Sequence, residues 1–107
     1  MIYELRIYEP VEGRTEALRD RLLNRAMPMM PDHRIEVVAA FTPTPDDGRV
    51  VYLCRFEDED ARAAAWAAFA ADPRWKSLRE ETEVDGPLIK TMASTLMRSA
   101  LPGAEKF

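Results

Sequence analysis

Two residue types that carry much of protein chemistry are nearly missing. Across 107 residues there is one cysteine, Cys54, and one histidine, His33. A lone cysteine excludes an intrachain disulfide, which fits a reducing compartment. It also excludes a paired-cysteine zinc site. Basic runs are absent, and the net charge is −4. Nothing therefore draws the chain electrostatically to nucleic acid or to an anionic membrane, and no RNA-binding signature occurs. No apolar run reaches the length needed to cross a bilayer. No basic segment followed by an apolar stretch opens the chain, so no secretion leader is expected and a cytoplasmic protein is the default. What is present is 47% apolar and 32% charged residues, the balance of a soluble globular protein. The length predicts one domain that buries about two thirds of its unfolded surface. Residues 1–100 are read as that domain and 101–107 as a loose C-terminal tail.

The opening, MIYELRIYEP, reads as a strand. Its alternation sends Ile2, Glu4, Arg6 and Tyr8 to one side and Tyr3, Leu5 and Ile7 to the other. The second set is the one expected in the core. The segment GRTEALRDRLLNRAMPMM carries Leu18, Leu22, Ala26 and Met30 at helical spacing, with Arg19, Asp20, Arg21 and Arg25 over the rest of its surface. Pro28 predicts a kink or a short second helix before Pro31. RIEVVAAFTP reads as a second strand, with Ile35, Val37, Ala39 and Phe41 on one side. TPTPDDGR is a turn. VVYLCRF, apolar on both faces, reads as a central strand covered on both sides. Asp58 is placed to cap a helix anchored by Trp66 and Phe69. Asp72-Pro73 restarts helix, with Trp75 and Leu78 inward. Gly86-Pro87 stops it, and LIKTMASTLMRS is a last strand.

The order βαββα(α)β predicts an α+β, ferredoxin-like domain with an extra short helix before the last strand. Right-handed crossovers put both main helices on one face of its antiparallel sheet. The other face is bare, yet too apolar for water. A contiguous patch of this kind exceeds what monomers usually expose. Covering it is worth on the order of ten kcal/mol before association costs. A symmetric pair, sheet facing sheet, is expected to form a dimeric α/β barrel. Glu4, Arg6 and Tyr8 are then expected to line its interior, where Glu4 and Arg6 neutralise each other.

These residues carry a family resemblance. Tyr3-Glu4-x-Arg6-x-Tyr8, the strand ending in FEDEDAR, and the Arg62…Trp66…Asp72-Pro73-x-Trp75 stretch resemble the NIPSNAP family from Met1 to about Arg98. The resemblance implies a ferredoxin-like subunit paired into a dimeric α/β barrel. It implies no catalytic residue. The short single-domain chain resembles the bacterial branch. Members often have a His-Gly pair before the second strand, where this chain has His33-Arg34. The related barrel architecture hosts cofactor-free monooxygenases, isomerases, haem-handling proteins and binding modules.

The candidate site residues are Glu4, Arg6, Tyr8, Tyr52 and His33. Glu4 and Arg6 would polarise a ligand, or form a structural ion pair. Tyr8 and Tyr52 would hydrogen-bond a substrate oxygen, or find backbone partners. Tyr52 and Arg55 compete for the inward side of their strand. His33 offers acid–base chemistry or a haem ligand, against an ordinary capping role beside Asp32. No ligand set accompanies it, so no metal and no cofactor is expected. Cys54 reads as a small buried apolar residue. Trp66 and Trp75 read as core anchors, and Met27, Met29 and Met30 as core or interface packing. Arg62 is expected to stack or pair at the sheet edge. The expected partners are a second copy and a small, partly apolar molecule. The rival reading is a non-catalytic dimeric binding or interaction module.

Overall fold

The computed structural model describes residues 1–102; the tail expected at 101–107 lies mostly outside them. Strand β1 (Ile2–Pro10) is followed by α1 (Thr15–Arg19). That helix runs on as a π-helical stretch, Asp20–Ala26, and a 3-10 stretch, Met27–His33. The short second helix expected at Pro28 is this 3-10 stretch, and it continues through Pro31. Next come β2 (Glu36–Phe41), β3 (Val50–Phe56), α2 (Glu59–Ala71), α3 (Pro73–Thr82) and β4 (Ile89–Met97). The sheet order is β2-β3-β1-β4, with every neighbouring pair antiparallel. This is the α+β, ferredoxin-like arrangement, with α3 as the extra helix.

Local chemistry fixes the ends of these elements. Asp58 accepts from the Ala61 amide at 2.8 Å and Asp72 from the Arg74 amide at 2.8 Å, so both expected caps are made. In the turn before β3, Asp46 accepts from the Gly48 amide. The two carboxylate oxygens of Asp46 also receive the Arg19 guanidinium at 2.8 and 2.7 Å, tying the first helix to that turn. A Cβ on Gly48 would lie 3.1 Å from Thr15 Oγ1, and its φ of +91° already demands glycine. Arg34 ends the 3-10 stretch at φ 62°, in the left-handed region.

The core lies between the sheet and the helices. Val50, Tyr52, Cys54 and Phe56 of β3 meet Leu18, Leu22, Ala26, Met30, Ala65 and Phe69. Arg6 stands opposite Tyr52, and Glu4 opposite Cys54, so both share that covered face. This reverses one expectation. Glu4, Arg6 and Tyr8 lie under their own helices, not toward a partner, and Leu5 and Ile7 lie on the bare face. Hydrophobicity alone misassigned the strand, because Glu4 is neutralised and fully hydrogen-bonded where it is buried. The four-residue steps from Leu18 to Met30 carry a second correction. In an α-helix each such step drifts about 40° around the axis. All four are nevertheless buried along a segment that passes from α through π to 3-10 winding, and Arg21, expected at the surface, lies inward at 4% exposure.

On the bare face, Tyr3, Leu5 and Ile7 stand beside Arg55, Leu53 and Val51 of β3 and Met97, Thr95 and Ala93 of β4. A bulge between Val37 and Ala39 changes the parity of β2. Val37 therefore meets Cys54 on the covered side, while Ala39 and Phe41 meet Leu53 and Val51 on the bare side. Beyond Ile89, every residue of β4 is exposed. Among the described residues no helix is long and apolar enough to cross a membrane.

Candidate functional site

Glu4 is the centre of a buried polar cluster. It is wholly inaccessible to solvent. Its Oε2 accepts from Arg6 Nη1 at 2.8 Å and from Ser94 Oγ at 2.6 Å. Its Oε1 accepts from the Trp66 indole at 2.7 Å and faces Arg62 Nη1 at 3.6 Å. Burial pushes the Glu4 carboxyl up, but hydrogen bonds from Ser94, Trp66 and Arg6, with the guanidinium charge, outweigh it and hold it below the usual carboxylate range. Glu4 is thus an ionised anchor with its oxygens occupied. It fixes the Arg6 guanidinium and the Trp66 indole rather than offering a free base.

Arg6 lies 4.2 Å over the Trp66 ring. Its Nε and Nη2 both donate to Tyr8 Oη, at 3.1 and 2.9 Å, and Nη2 also reaches Met92 Sδ. Burial opposes the charge on Arg6, yet Tyr8, Tyr52 and Glu4 hold it firmly protonated. Tyr8 Oη is 2.7 Å from Tyr52 Oη. Because both acceptor positions of the Tyr8 oxygen meet Arg6 N–H groups, the proton between the two phenols is the one Tyr8 donates. Burial, with Tyr8 beside it, pushes the Tyr52 hydroxyl up, so Tyr52 stays neutral.

This cluster forms one wall of a cavity of about 220 Å³ between the sheet and the helices. Leu18, Leu22, Phe69 and Trp75 supply the apolar walls, and Arg6, Tyr8 and Arg21 the polar groups. Met92 both lines the cavity and is 54% exposed, so the mouth lies along β4.

The structure therefore brings Glu4, Arg6, Tyr8 and Tyr52 together. Arg55 leaves them, pairing with Glu36 on the bare face. His33 is elsewhere. Its Nε2 meets Asp72 Oδ2 at 2.7 Å, and its ring packs edge-on against Phe69. It borders a wide, open groove of about 770 Å³ between β2 and α2, away from the cluster. The Arg74 side chain and His33 together hold the Asp72 carboxyl well below the usual range. The pair joins the end of the 3-10 stretch to the start of α3. Among the described residues no group of three His, Cys, Asp or Glu side chains could hold a metal ion. Cys54 is fully buried, and burial beside Glu4 pushes its thiol up to about 12.

Sequence reasoning missed Arg21, Ser94 and Met92. Ser94 and Met92 could have been found from strand register, since they stand opposite Arg6 and Tyr8. Arg21 could have been found from the uninterrupted four-residue spacing beside it. Arg62 does pair, as expected, but with Glu4. Trp66 and Trp75 pack on the core, and both also line the cavity. Met30 is buried, while Met27 and Met29 pack beside it.

The family model described as NIPSNAP matches residues 3–101. Among solved structures, an uncharacterized NIPSNAP domain protein from Burkholderia xenovorans is 21% identical, with 98% of this chain and 100% of that chain covered and a TM-score of 0.79. Protein Atu4242 from Agrobacterium tumefaciens is 28% identical, with 94% of each chain covered and a TM-score of 0.78. More distantly, an antibiotic biosynthesis monooxygenase is 13% identical over 94% of this chain and 100% of that one, at a TM-score of 0.63, a likeness of fold. No match was found among curated proteins.

Proposed function

The chain belongs to the NIPSNAP family, and on that footing we propose that it works as a homodimer whose subunits each bind a small, partly apolar molecule in the cavity between sheet and helices. One observation carries the reading. A cavity with aromatic and aliphatic walls holds a few fixed polar groups, Arg6, Tyr8 and Arg21, which is the make-up of a ligand site. At about 220 Å³ it lies below the range of drug-sized pockets, about 300 Å³ and upward, so the ligand is a small metabolite.

The homodimer is supported by what the sheet leaves uncovered. Leu5, Ile7, Val51 and Leu53 form an apolar centre, and Phe41 and Met97 flank it at 55% and 37% exposure. A second copy seated there would cover this apolar centre, as the buried core of a stable pair requires. The setting is proposed as the cytoplasm, where the free thiol of Cys54 would stay reduced. The relatives from Burkholderia and Agrobacterium support a bacterial origin.

A catalytic reading, cofactor-free chemistry of the oxygenase or isomerase type, is favoured by a single feature. The Tyr8 hydroxyl sits in the cavity wall with two guanidinium N–H groups on its oxygen, positioned to stabilise negative charge. Among the described residues no carboxylate lines the cavity to serve as a base, which favours binding without turnover.

Native mass spectrometry of protein purified without denaturant tests the proposal. The expected species is a dimer with up to one small molecule per chain. Clean monomer at micromolar concentration overturns the homodimer. A dimer that takes up nothing from a metabolite library overturns the ligand. Turnover that disappears in Tyr8→Phe while binding persists would select the catalytic reading.

A further inference from the structure

We propose that the ligand is an aromatic or similarly planar carboxylate, whose acid group is held by Arg21. This rests on the cavity being a binding site. It adds the charge and shape of what enters.

The two guanidiniums on the cavity wall are not equally free. Arg6 commits Nε and Nη2 to Tyr8 and Nη1 to Glu4. Among the described residues Arg21 uses only Nη1, which donates to Thr82 Oγ1 at 3.1 Å and to Glu83 Oε2 at 2.7 Å. Its Nε–Nη2 edge is left for an incoming group. That edge presents two parallel N–H vectors, the geometry that takes a carboxylate through both oxygens. Arg21 is 4% exposed, so this donor edge sits in a largely desolvated place where an anion is worth more than in water.

Charge accounting points the same way. Glu83 must serve Arg79 as well, whose Nε lies 3.4 Å from the same oxygen. Glu4 likewise serves Arg6 and Arg62. Each guanidinium on the cavity wall thus shares its carboxylate with a second arginine, and among the described residues no carboxylate lines the cavity itself, so a bound anion meets only cationic side chains there. The walls supply the shape preference. Trp66 and Trp75 both line the cavity, with Phe69 in aromatic contact with each. Arg21 lies 5.2 Å over the Trp75 ring, which holds the guanidinium against a flat surface along which a second ring can stack. Arg21 lies in the π-helical stretch, a kind of winding found often at functional sites.

Matched probes test this by isothermal titration calorimetry on the purified full chain: benzoate against benzyl alcohol, and 2-naphthoate against 2-naphthylmethanol. In the wild type an acid is expected to bind at least ten-fold tighter than its alcohol at pH 7. Arg21→Gln is expected to erase that preference, and Arg21→Lys to restore part of it. The acid-over-alcohol comparison is read on the wild type, so it stands even where Arg21→Gln does not fold. Equal affinity for acid and alcohol, or an acid preference that survives in folded Arg21→Gln, overturns the carboxylate assignment and leaves the cavity as a binding site. Failure of all four probes to bind overturns the aromatic carboxylate, while the binding site itself stands or falls with the metabolite uptake read by native mass spectrometry.

Discussion

Glu4 is the residue on which the interior depends most. A buried carboxylate with four neighbours of complementary polarity is stable only while all of them stay paired. Glu4→Gln keeps the shape but leaves the Arg6 cation unbalanced. Urea unfolding at pH 7 should show a loss of about 3–5 kcal/mol, the range for breaking one partner of a buried pair. The pH dependence has a definite sign. Because the folded-state carboxyl titrates below its ordinary value of 4.5, the stability it contributes is complete above that pH. It is lost as pH falls through and below it. The stability gap between wild type and Glu4→Gln should therefore narrow as pH drops from 5 toward 2. Arg34 offers the opposite opportunity. A side chain at φ 62° costs about 1–2 kcal/mol. Glycine removes that cost and returns about 0.5–1 kcal/mol as unfolded-chain entropy. Arg34→Gly, which recreates the His-Gly pair common in the family, should gain about 0.5–1 kcal/mol in the same urea experiment.

The elements themselves were largely legible. Both aspartate caps, the turn before β3, the four strands and the βαββα(α)β order follow from local signals, because capping, proline placement and turn chemistry act within a few residues. Less legible was anything set by winding or register. The π stretch in which Arg21 is buried and the bulge that changes the parity of β2 leave no strong compositional mark. The orientation of β1 was misread for another reason. Its charged side is the interior one, and that is acceptable only because Ser94 and Trp66, about 60 to 90 residues away, complete the hydrogen bonding. Helix α3 allows a test at this scale. Asp72 caps it and also receives His33 and Arg74. Asp72→Asn should keep the cap and cost about 1 kcal/mol, while Asp72→Ala loses cap and partners together and should cost about 2–3 kcal/mol by thermal or urea unfolding.

For the whole molecule, the governing quantity is the uncovered side of the sheet. Leu53 stands opposite Leu5 near its centre. Leu53→Lys places a charge where the second copy is proposed to sit. Light scattering should report a shift from dimer toward monomer at micromolar concentration, with the circular dichroism of the helices retained. The thermal midpoint of the wild type should rise with protein concentration, and that of Leu53→Lys should not, as mass action requires of a fold completed by association. Strand β4 gives this a last consequence. Met92 borders the mouth of the cavity, while Thr95 and Met97 belong to the outer surface. The proposed ligand and the proposed twin would thus press on the same stretch of backbone. Linkage would make their influence mutual: if occupancy strengthens pairing by some factor, pairing strengthens occupancy by that same factor, and the protein's own abundance would become a dial on how readily it holds the proposed ligand.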